Sequence, residues 1–460
     1  MGSDWTDSAL EDCMSAIIDY RGKTPKKTDT GIPLITAKII KDGRIQPVTE
    51  FIAPSDYESW MRRGIPKPGD IVLTTEAPLG EVAELDDRKV ALAQRVITLR
   101  GKAQVLHNRF LKYLLISNYV QHQLDGRGTG TTVKGIKQSE LRKVRLRFPP
   151  YEEQKAIAHI LGTLDDKIEL NRRMNGTLES MARALFKSWF VDFDPVIDNA
   201  LAAGHSIPDP LAARASARRA LGPQRKPLPE NIRTLFPASF TFDEQMGWIP
   251  DGWSIKKLVE LTSDIGSGAT PRGGAKVYVE EGIALVRSQN VFDRQFVWDG
   301  LARITDEAAA KLSNVALRQD DILFNITGAS VLRTCIVDPI VLPARVNQHV
   351  ARIRARAGVS HWFLHEHLVH PKMKNHLIGL SAGATREAIT KGDLQGIELI
   401  SPPEVMMDAF NKYAEPLYRK KDVSSGESQS LDALRDTLLP KLLSGELRIP
   451  EAEKLVADSV

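Results

Sequence analysis

The sequence predicts an α+β protein: two mixed α/β heads rich in antiparallel strands, each followed by a long helix, with the two helices packed as an antiparallel coiled coil. Three observations predict it. The chain repeats itself once, each copy opens with short alternating apolar runs, and each copy closes on a heptad pattern. Searching for self-similarity comes first because a missed repeat misreads the whole fold.

The repeat is plainest between "GTGTTVKGIKQSELRKVRLRFPPYEEQ" and "SAGATREAITKGDLQGIELISPPEVMM". Gly130 pairs with Gly383, Thr132 with Thr385, Ile136 with Ile389, Leu141 with Leu394, and Pro149-Pro150 with Pro402-Pro403, all at one offset of 253. The offset continues ungapped through Leu178 and Leu431 to Leu185 and Leu438. Upstream, "GIPLITAKII" resembles "GIALVRSQNV", "KPGDIVLTTEAPLG" resembles "RQDDILFNITGASV", and "ALAQRVITLR" resembles "RVNQHVARIR". The chain is two copies of one unit, roughly 1–190 and 245–445.

Residues 1–149 and 245–402 carry the runs "DIVLTTE", "RVITLR", "KVRLRF", "IALVRS", "DILFNIT", "TCIVDPIVL" and "GIELIS", broken by Gly, Pro and Asp, which read as strands. Helical stretches such as "NRFLKYLLISNYVQHQL" and "HWFLHEHLVHPKMKNHLIGL" intervene. Residues 150–190 and 403–445 read as the two long helices. A heptad places Ile157, Leu164, Asn171, Leu178 and Leu185 at position a of the first, and Phe410, Leu417, Ser424, Leu431 and Leu438 at a of the second. Both helices therefore carry a polar residue at the central a position. Packed antiparallel, Asn171 and Ser424 fall in one layer, a device that penalises slipped registers. The second helix is the poorer coiled coil, with Lys421, Ser428 and Arg435 at d and with Gly426 and Pro440 as points of bending. Residues 191–244 link the copies through a Pro-, Ala- and Arg-rich crossover containing the basic segment "LAARASARRAL", and 446–460 form a tail.

At 460 residues, 42% hydrophobic and 26% charged, the chain is long enough to bury substantial cores without metal or disulfide staples. Its net charge of +4 permits nucleic acid without demanding it. Cys13 and Cys335 are the only cysteines, which suggests a reducing compartment. No apolar run is long enough to cross a membrane, and "MGSDWTDSALEDC" lacks a signal-peptide core, so a cytoplasmic location is expected.

The triplet Pro149-Pro150-Tyr151 raises the question of a catalytic pocket for methylating an exocyclic amino group. The second copy has Ser401-Pro402-Pro403-Glu404, the residue before the prolines in the first copy is Phe148, which accepts no hydrogen bond, and no Gly-rich turn for S-adenosylmethionine is evident. The prolines read better as punctuation where a strand ends and a helix begins. His361 and His365 lie four apart on one helical face, but no third ligand accompanies them, so no metal site is assigned. No Gly-Lys-Ser/Thr loop for nucleotide phosphates is present.

Two variable heads, each followed by a related helix beginning at "PPYEEQKAIAHILGTLDDKIELNRRMNGTLESMARALF", with the cues "FKSWFVDFDP" and "MGWIPDGW" in the crossover, resemble the specificity subunit of a Type I restriction–modification enzyme. The resemblance spans nearly the whole chain and is strongest in 148–195 and 245–253. Copy two departs from it in "PPEVMMDAF", which lacks the Glu-Gln of copy one. The resemblance implies that each head recognises a few base pairs of double-stranded DNA and that the paired helices set the distance between two half-sites. It further implies that the helices dock two methyltransferase subunits, that a restriction subunit is a further possible partner, and that this chain carries no catalysis and no cofactor. The heads differ in sequence, so the expected target is bipartite and asymmetric. Two other readings remain: a stand-alone DNA methyltransferase, and a coiled-coil scaffold that never touches DNA.

Base reading calls for Arg or Lys toward guanine, Asn or Gln toward adenine, and hydroxyls as adaptable partners, best placed on loops at equivalent positions of both heads. In head one the candidates are Arg21, Lys23, Thr24 and Lys26 in "YRGKTPKK"; Thr74, Thr75 and Glu76 in "LTTEAPLG"; Gln94 and Arg95 in "ALAQRV"; and Arg127, Thr129, Thr131, Thr132 and Lys134 in "GRGTGTTVK". In head two they are Ser267, Thr270 and Arg272; Arg287, Ser288, Gln289 and Asn290 in "VRSQN"; Asn325 and Thr327; Gln348 and His349; and Thr385 and Arg386. Each has a plainer reading as a solvated surface group or, for "GTGTT", as a tight turn. The run Arg142, Lys143, Arg145, Arg147 alternates with apolar residues and reads as one solvated strand face.

Overall fold

The computed structural model describes residues 5–20, 24–130, 133–381 and 388–459. Six of the candidates above, Arg21, Lys23, Thr131, Thr132, Thr385 and Arg386, lie outside the described residues. The chain divides into two compact units, Met1–Arg173 with Ser425–Val460, and Met174–Ser424. The division cuts both long helices, so each unit holds one head and parts of both helices.

The head of the first unit has an antiparallel sheet in the order Met14–Asp19, Val96–Gly101, Ile71–Thr75, Leu79–Glu84. The head of the second has the same order: Thr262–Ser267, Val350–Ala355, Ile322–Asn325, Thr334–Ile336. Beside it in each head lies a second sheet with one parallel pair, Ile32–Ile35 with Ala91–Leu92 and Ile283–Val286 with Ala344–Val346. The strands entering the long helices, Arg145–Phe148 and Glu398–Ser401, sit 253 residues apart and pair antiparallel with Thr6–Ala9 and Ser254–Lys257. The repeat in sequence is thus a repeat in topology.

One ion pair recurs at the same place in both sheets. Asp70 and Asp321 have fully buried side chains, and each takes a bidentate guanidinium, from Arg100 and Arg354, with both contacts at 2.7 Å in each pair. Each carboxylate also accepts a backbone N–H three residues back, from Lys67 and Arg318 at 2.8 Å. A buried carboxylate is tolerated when it is paired and hydrogen-bonded in this way.

The first long helix is Tyr151–Phe186, about 54 Å long at 1.5 Å per residue. The Pro-Pro pair precedes it as punctuation: Tyr151 is its first residue, and Phe148 is buried. Gln154, fully buried, ties the helix start to its head by accepting from the His107 N–H (2.9 Å) and donating to the Val105 and Pro149 carbonyls (3.0 and 2.9 Å). The second helix, Glu404–Ser444, runs unbroken through Pro416, Gly426 and Pro440, so neither Gly426 nor Pro440 interrupts it.

Within each unit the helices run antiparallel. In the first, Lys167 pairs with Glu427 (3.1 Å) and Asp165 with Arg435 (3.0 Å); in the second, Glu179 pairs with Lys421 (3.3 Å) and Phe186 packs on Phe410. The charged d positions Lys421 and Arg435 are therefore interhelical ion pairs. Asn171 and Ser424 are both buried, and Asn171 donates its amide to Glu427 at 2.8 Å. The crossover folds into the helices Asp194–Ala203 and Asp209–Ala220, and two arginines of the basic segment are engaged in ion pairs: Arg214 clamps Asp194, and Arg218, joined by Arg225, holds Asp198. The tail contains the helix Ile449–Ala457, whose Ala452 and Val456 join the core of the first unit. Among the described residues, no helix is long and apolar enough to cross a membrane.

Candidate nucleic-acid interface

In each head the central sheet ends where three segments meet. In the first, the strand Ile71–Thr75 delivers Thr75 to the turn Gln94-Arg95, and the Thr75 N–H donates to the Arg95 carbonyl at 2.9 Å. The segment after Thr129 closes the third side, with the Ile136 N–H donating to the Thr75 carbonyl at 2.9 Å and Glu76 bridging to Gly135. These segments enclose an open hollow of about 470 Å³ lined by Thr75, Glu76, Gln94, Arg95, Thr129 and Lys137 among others. Three stretches far apart in sequence, each containing candidates, thus converge on one rim.

Local backbone chemistry explains the placement. Arg95 sits at φ +72°, a left-handed conformation that is strained for a side chain this size and that turns the guanidinium outward. It lies 3.7 Å from Glu76, with both side chains substantially exposed. Gln94 donates its amide to the Thr24 hydroxyl at 3.0 Å. Gly130, at φ +114°, allows the reversal between Thr129 and Gly135, which exchange two backbone hydrogen bonds; a Cβ there would fall 2.2 Å from the Val133 carbonyl. The pairing of Thr129 with Gly135 brings Thr129 to the rim. Lys26 is exposed, Lys134 pairs with Asp125 (2.7 Å), and half-buried Arg127 pairs with Glu140 (3.3 Å).

The second head repeats the backbone and changes the side chains. The Ile326 N–H donates to the His349 carbonyl (3.0 Å), the Ile389 N–H to the Ile326 carbonyl (2.9 Å), and Thr327 bridges to Ala388. Where the first rim opposes Glu76 and Arg95, this one opposes Thr327 and His349, with Oγ1 and Nδ1 2.8 Å apart. Gln348 and His349 are exposed, as are Ser267, Thr270, Arg272 and Gln289. Gly268 lets that loop pass over Val346, whose carbonyl a Cβ would meet at 2.0 Å. Gln289 and Arg287 both donate to the Gly300 carbonyl, at 3.0 and 2.7 Å, and Ser288 is half-buried, its carbonyl accepting from Asn325.

Three candidates belong to the interior instead. Thr74 is fully buried, and its hydroxyl accepts the Glu81 N–H (2.9 Å). Asn290 is fully buried and caps its own turn, accepting from the Arg287 N–H and donating to the Val297 carbonyl. Asn325 is fully buried with its amide on the Ser288 carbonyl. Thr74 and Asn325 lie in strands that are buried along their whole length, and Asn290 is the buried end of its turn, so proximity to an exposed loop did not make them accessible. Thr75 is also buried, but it lines the hollow. Lys137, absent from the candidates, lies on the rim; the 253 offset pairs it with Thr390, and that correspondence was the signal that could have found it. The run Arg142 to Arg147 behaves as a solvated face, with Arg145 on Asp7 (2.6 Å), Arg142 near Glu11 (3.5 Å) and Arg147 over the Trp5 ring.

The histidine-rich helix His361–Val369 is packed against the fold. His365 is buried with Nε2 3.3 Å from the Thr334 carbonyl, and His367 meets the Phe186 and Phe363 rings edge-on. Burial pushes His365 down to about 4 and His367 down to about 3, so both are neutral at pH 7.

The model of the Type I restriction modification DNA specificity domain matches residues 2–180. The Type I restriction enzyme HindI specificity subunit of Haemophilus influenzae is 27% identical over 404 residues, covering 83% of this chain and 87% of that one. The MjaIX specificity subunit of Methanocaldococcus jannaschii is 26% identical over 388 residues, covering 83% and 78%. In fold, the chain is similar to the S subunit of a Type I restriction–modification system from M. genitalium, with a TM-score of 0.57 at 15% identity over 96% of this chain and 97% of that one. With two heads of one topology and a paired-helix element in each unit, the chain is similar along most of its length to specificity subunits of Type I restriction–modification systems, and its residues 2–180 match the DNA specificity domain of that family.

Proposed function

We propose that each head reads one half of an asymmetric, bipartite double-stranded DNA site, that the paired helices set the distance between the half-sites, and that methyltransferase subunits dock on the helical part and supply the chemistry. On this reading the heads comprise 1–149 and 245–402, and the helices 150–190 and 403–445. The observation that carries the proposal is the pair of equivalent rims: the same backbone hydrogen bonds present Glu76, Gln94 and Arg95 in one head and Thr327, Gln348 and His349 in the other. A duplicated scaffold with different donors and acceptors at its edge suits two half-sites of different sequence. Arg95 offers a bidentate donor to guanine and Gln94 an amide to adenine. Exposed apolar side chains on the helices, Leu170, Met181 and Val423, supply surface for a protein partner.

The test is selection from randomised duplex DNA by the chain with its methyltransferase partners. Two short motifs separated by an unread spacer are expected, and Q94A/R95A should relax one motif while leaving the other intact. Enrichment of no motif would refute DNA reading and favour a scaffold. Inserting one helical turn into both long helices, about 5.4 Å, should lengthen the spacer by about two base pairs at 3.4 Å each and leave both motifs unchanged.

A further inference from the structure

Each unit joins its head to its own long helix through one tyrosine and one carboxylate, and the two junctions have opposite polarity. In the first unit the head supplies the phenol: Tyr113 donates its hydroxyl to Asp165 of the helix at 2.8 Å. Lys112, also from the head, reaches the same carboxylate at 2.6 Å, and Arg435 of the second helix completes it at 3.0 Å. The equivalent positions 253 residues on are Glu366 and Tyr418. There the helix supplies the phenol: Tyr418 donates to Glu366 of the head at 2.8 Å. Arg294, from the head's hairpin, binds Glu366 through Nε and Nη2 at 3.1 and 2.8 Å, and Lys421 of the helix reaches the Arg294 carbonyl at 2.7 Å. Trp362 stacks flat on Tyr418, with ring centroids 3.7 Å apart.

Tyr113, Glu366 and Tyr418 are buried, and Asp165 is half-buried. Burial opposes ionisation of both carboxyls, yet the cations beside them, Lys112 for Asp165 and Arg294 for Glu366, hold each below the usual carboxylate range. Burial, and then the neighbouring carboxylate, pushes both phenols up, so each keeps the proton it donates.

We propose that these inverted tyrosine–carboxylate pairs dictate which head seats on which helix. Exchange of the heads would set Glu366 against Asp165, two carboxylates with no phenol between them. The other junction would bring Tyr113 to Tyr418, two phenols with no carboxylate between them, and leave Lys112 to share Glu179 with Lys421. Buried like charges and unmatched donors carry a heavy penalty, whereas each native junction is satisfied. The shared topology makes the exchange conceivable for the backbone, and the polarity opposes it alongside the difference between the two cores. The same mismatch discriminates against a head of a second copy docking on the wrong helix. The inference concerns seating alone and stands whether or not the heads read DNA.

The test uses the full-length chain with residues 5–148 and 254–401 exchanged, alone and with the helix changes D165Y, I168K, Y418D and K421I in native numbering. The head exchange should lower the unfolding temperature by about 10 °C, and the helix changes should restore at least half of it. Stability of the exchanged chain equal to the native one, or no recovery with the helix changes, would overturn the proposal. A double-mutant cycle in the native chain decides independently of that chimera's solubility. Y113E and D165Y should each destabilise, and Y113E/D165Y, which inverts the bond, should melt well above the sum of the single losses. A purely additive double variant would sink the idea, since a residue that merely fills space shows no such coupling.

Discussion

The two units solve one topological problem with different interiors. The core around the helices in the first unit is aliphatic, built from Leu10, Ile71, Leu73, Ile97, Leu111, Ile157, Leu161 and Leu164. Its counterpart in the second is aromatic: Phe186, Trp189, Phe190, Trp253, Phe363 and Phe410 meet with centroid separations of 5.0–6.2 Å. The first unit buries no described histidine deeply, while the second buries His365 and packs half-buried His367 between the Phe186 and Phe363 rings. The comparison teaches that strand order and the head–helix connection are the duplicated quantities. The chemistry filling the frame has diverged, as packing permits so long as volume and patterning are kept.

The sharpest way to break the comparison is to cut the aromatic cluster. Phe190 is 2% exposed and touches Phe186, Trp189, Trp253, Phe363 and Phe410. F190A should cost about 4 kcal/mol, and calorimetry should show the loss in the transition of the second unit alone. L161A in the first unit should cost about 3 kcal/mol, because a leucine leaves a smaller cavity that collapses more readily. Where the units agree, the effects should agree as well. R100A and R354A each strip the guanidinium from a fully buried aspartate and should each cost about 3 kcal/mol, equal within error. A large inequality between them would show that the sheets are less alike than their strand order.

Much of this was legible in the sequence because it is periodic. The 253 offset predicted matching strands before the helices, and Arg145–Phe148 and Glu398–Ser401 are found at that spacing. The heptad predicted buried polar a positions, and Asn171 and Ser424 are buried. The poor d positions of the second helix were legible as charge but not as partners: Asp165, which receives Arg435, is an i+1 neighbour of core Leu164 that looks solvated in one dimension. At the rims, sequence could name the loops but not the facing. Thr74 and Glu76 lie two apart, and only a local irregularity in the pairing of Leu73 and Thr75 with the next strand tells which of them the head buries. The tyrosine–carboxylate inversion was invisible, because aligned positions were compared for likeness and an exchanged pair scores as two mismatches.

Acid should separate the units next. An unfolded histidine titrates near 6.5, whereas burial holds His365 at about 4 and His367 at about 3. Between pH 6.5 and 4 the unfolded chain takes up protons that the folded second unit refuses, so its stability falls as pH falls. Asp422 works the other way: pushed up by burial to about 6, it holds a proton when folded that the unfolded chain binds only near 3.8, and so offsets one of the two histidines. The groups facing His365 are Glu366, Arg294 and Lys421, and those facing His367 are His370 and Glu366. In urea melts from pH 7 to 4.5 the second unit should lose stability and the first much less. H367F, which keeps an aromatic ring against Phe186 and Phe363, should flatten the slope, and D422N should steepen it.

The smallest expected stability effect belongs to the rims, where the comparison matters most for function. The Arg95 side chain is 50% exposed, and its one ion pair, with Glu76 at 3.7 Å, is of a kind that contributes roughly 0–1 kcal/mol. R95A should therefore leave the melting temperature within about 1 °C of the parent while weakening binding to sites that match the first half-site by about tenfold. H349A should do the same for the other half-site. Because salt screens phosphate contacts but base contacts depend on fit, the loss from R95A should be larger on the preferred base than on a substituted one at every salt concentration. A uniform loss across all sequences, shrinking as salt is added, would reassign Arg95 from reading a base to holding the backbone, and the two rims would then be alike in position but not in role.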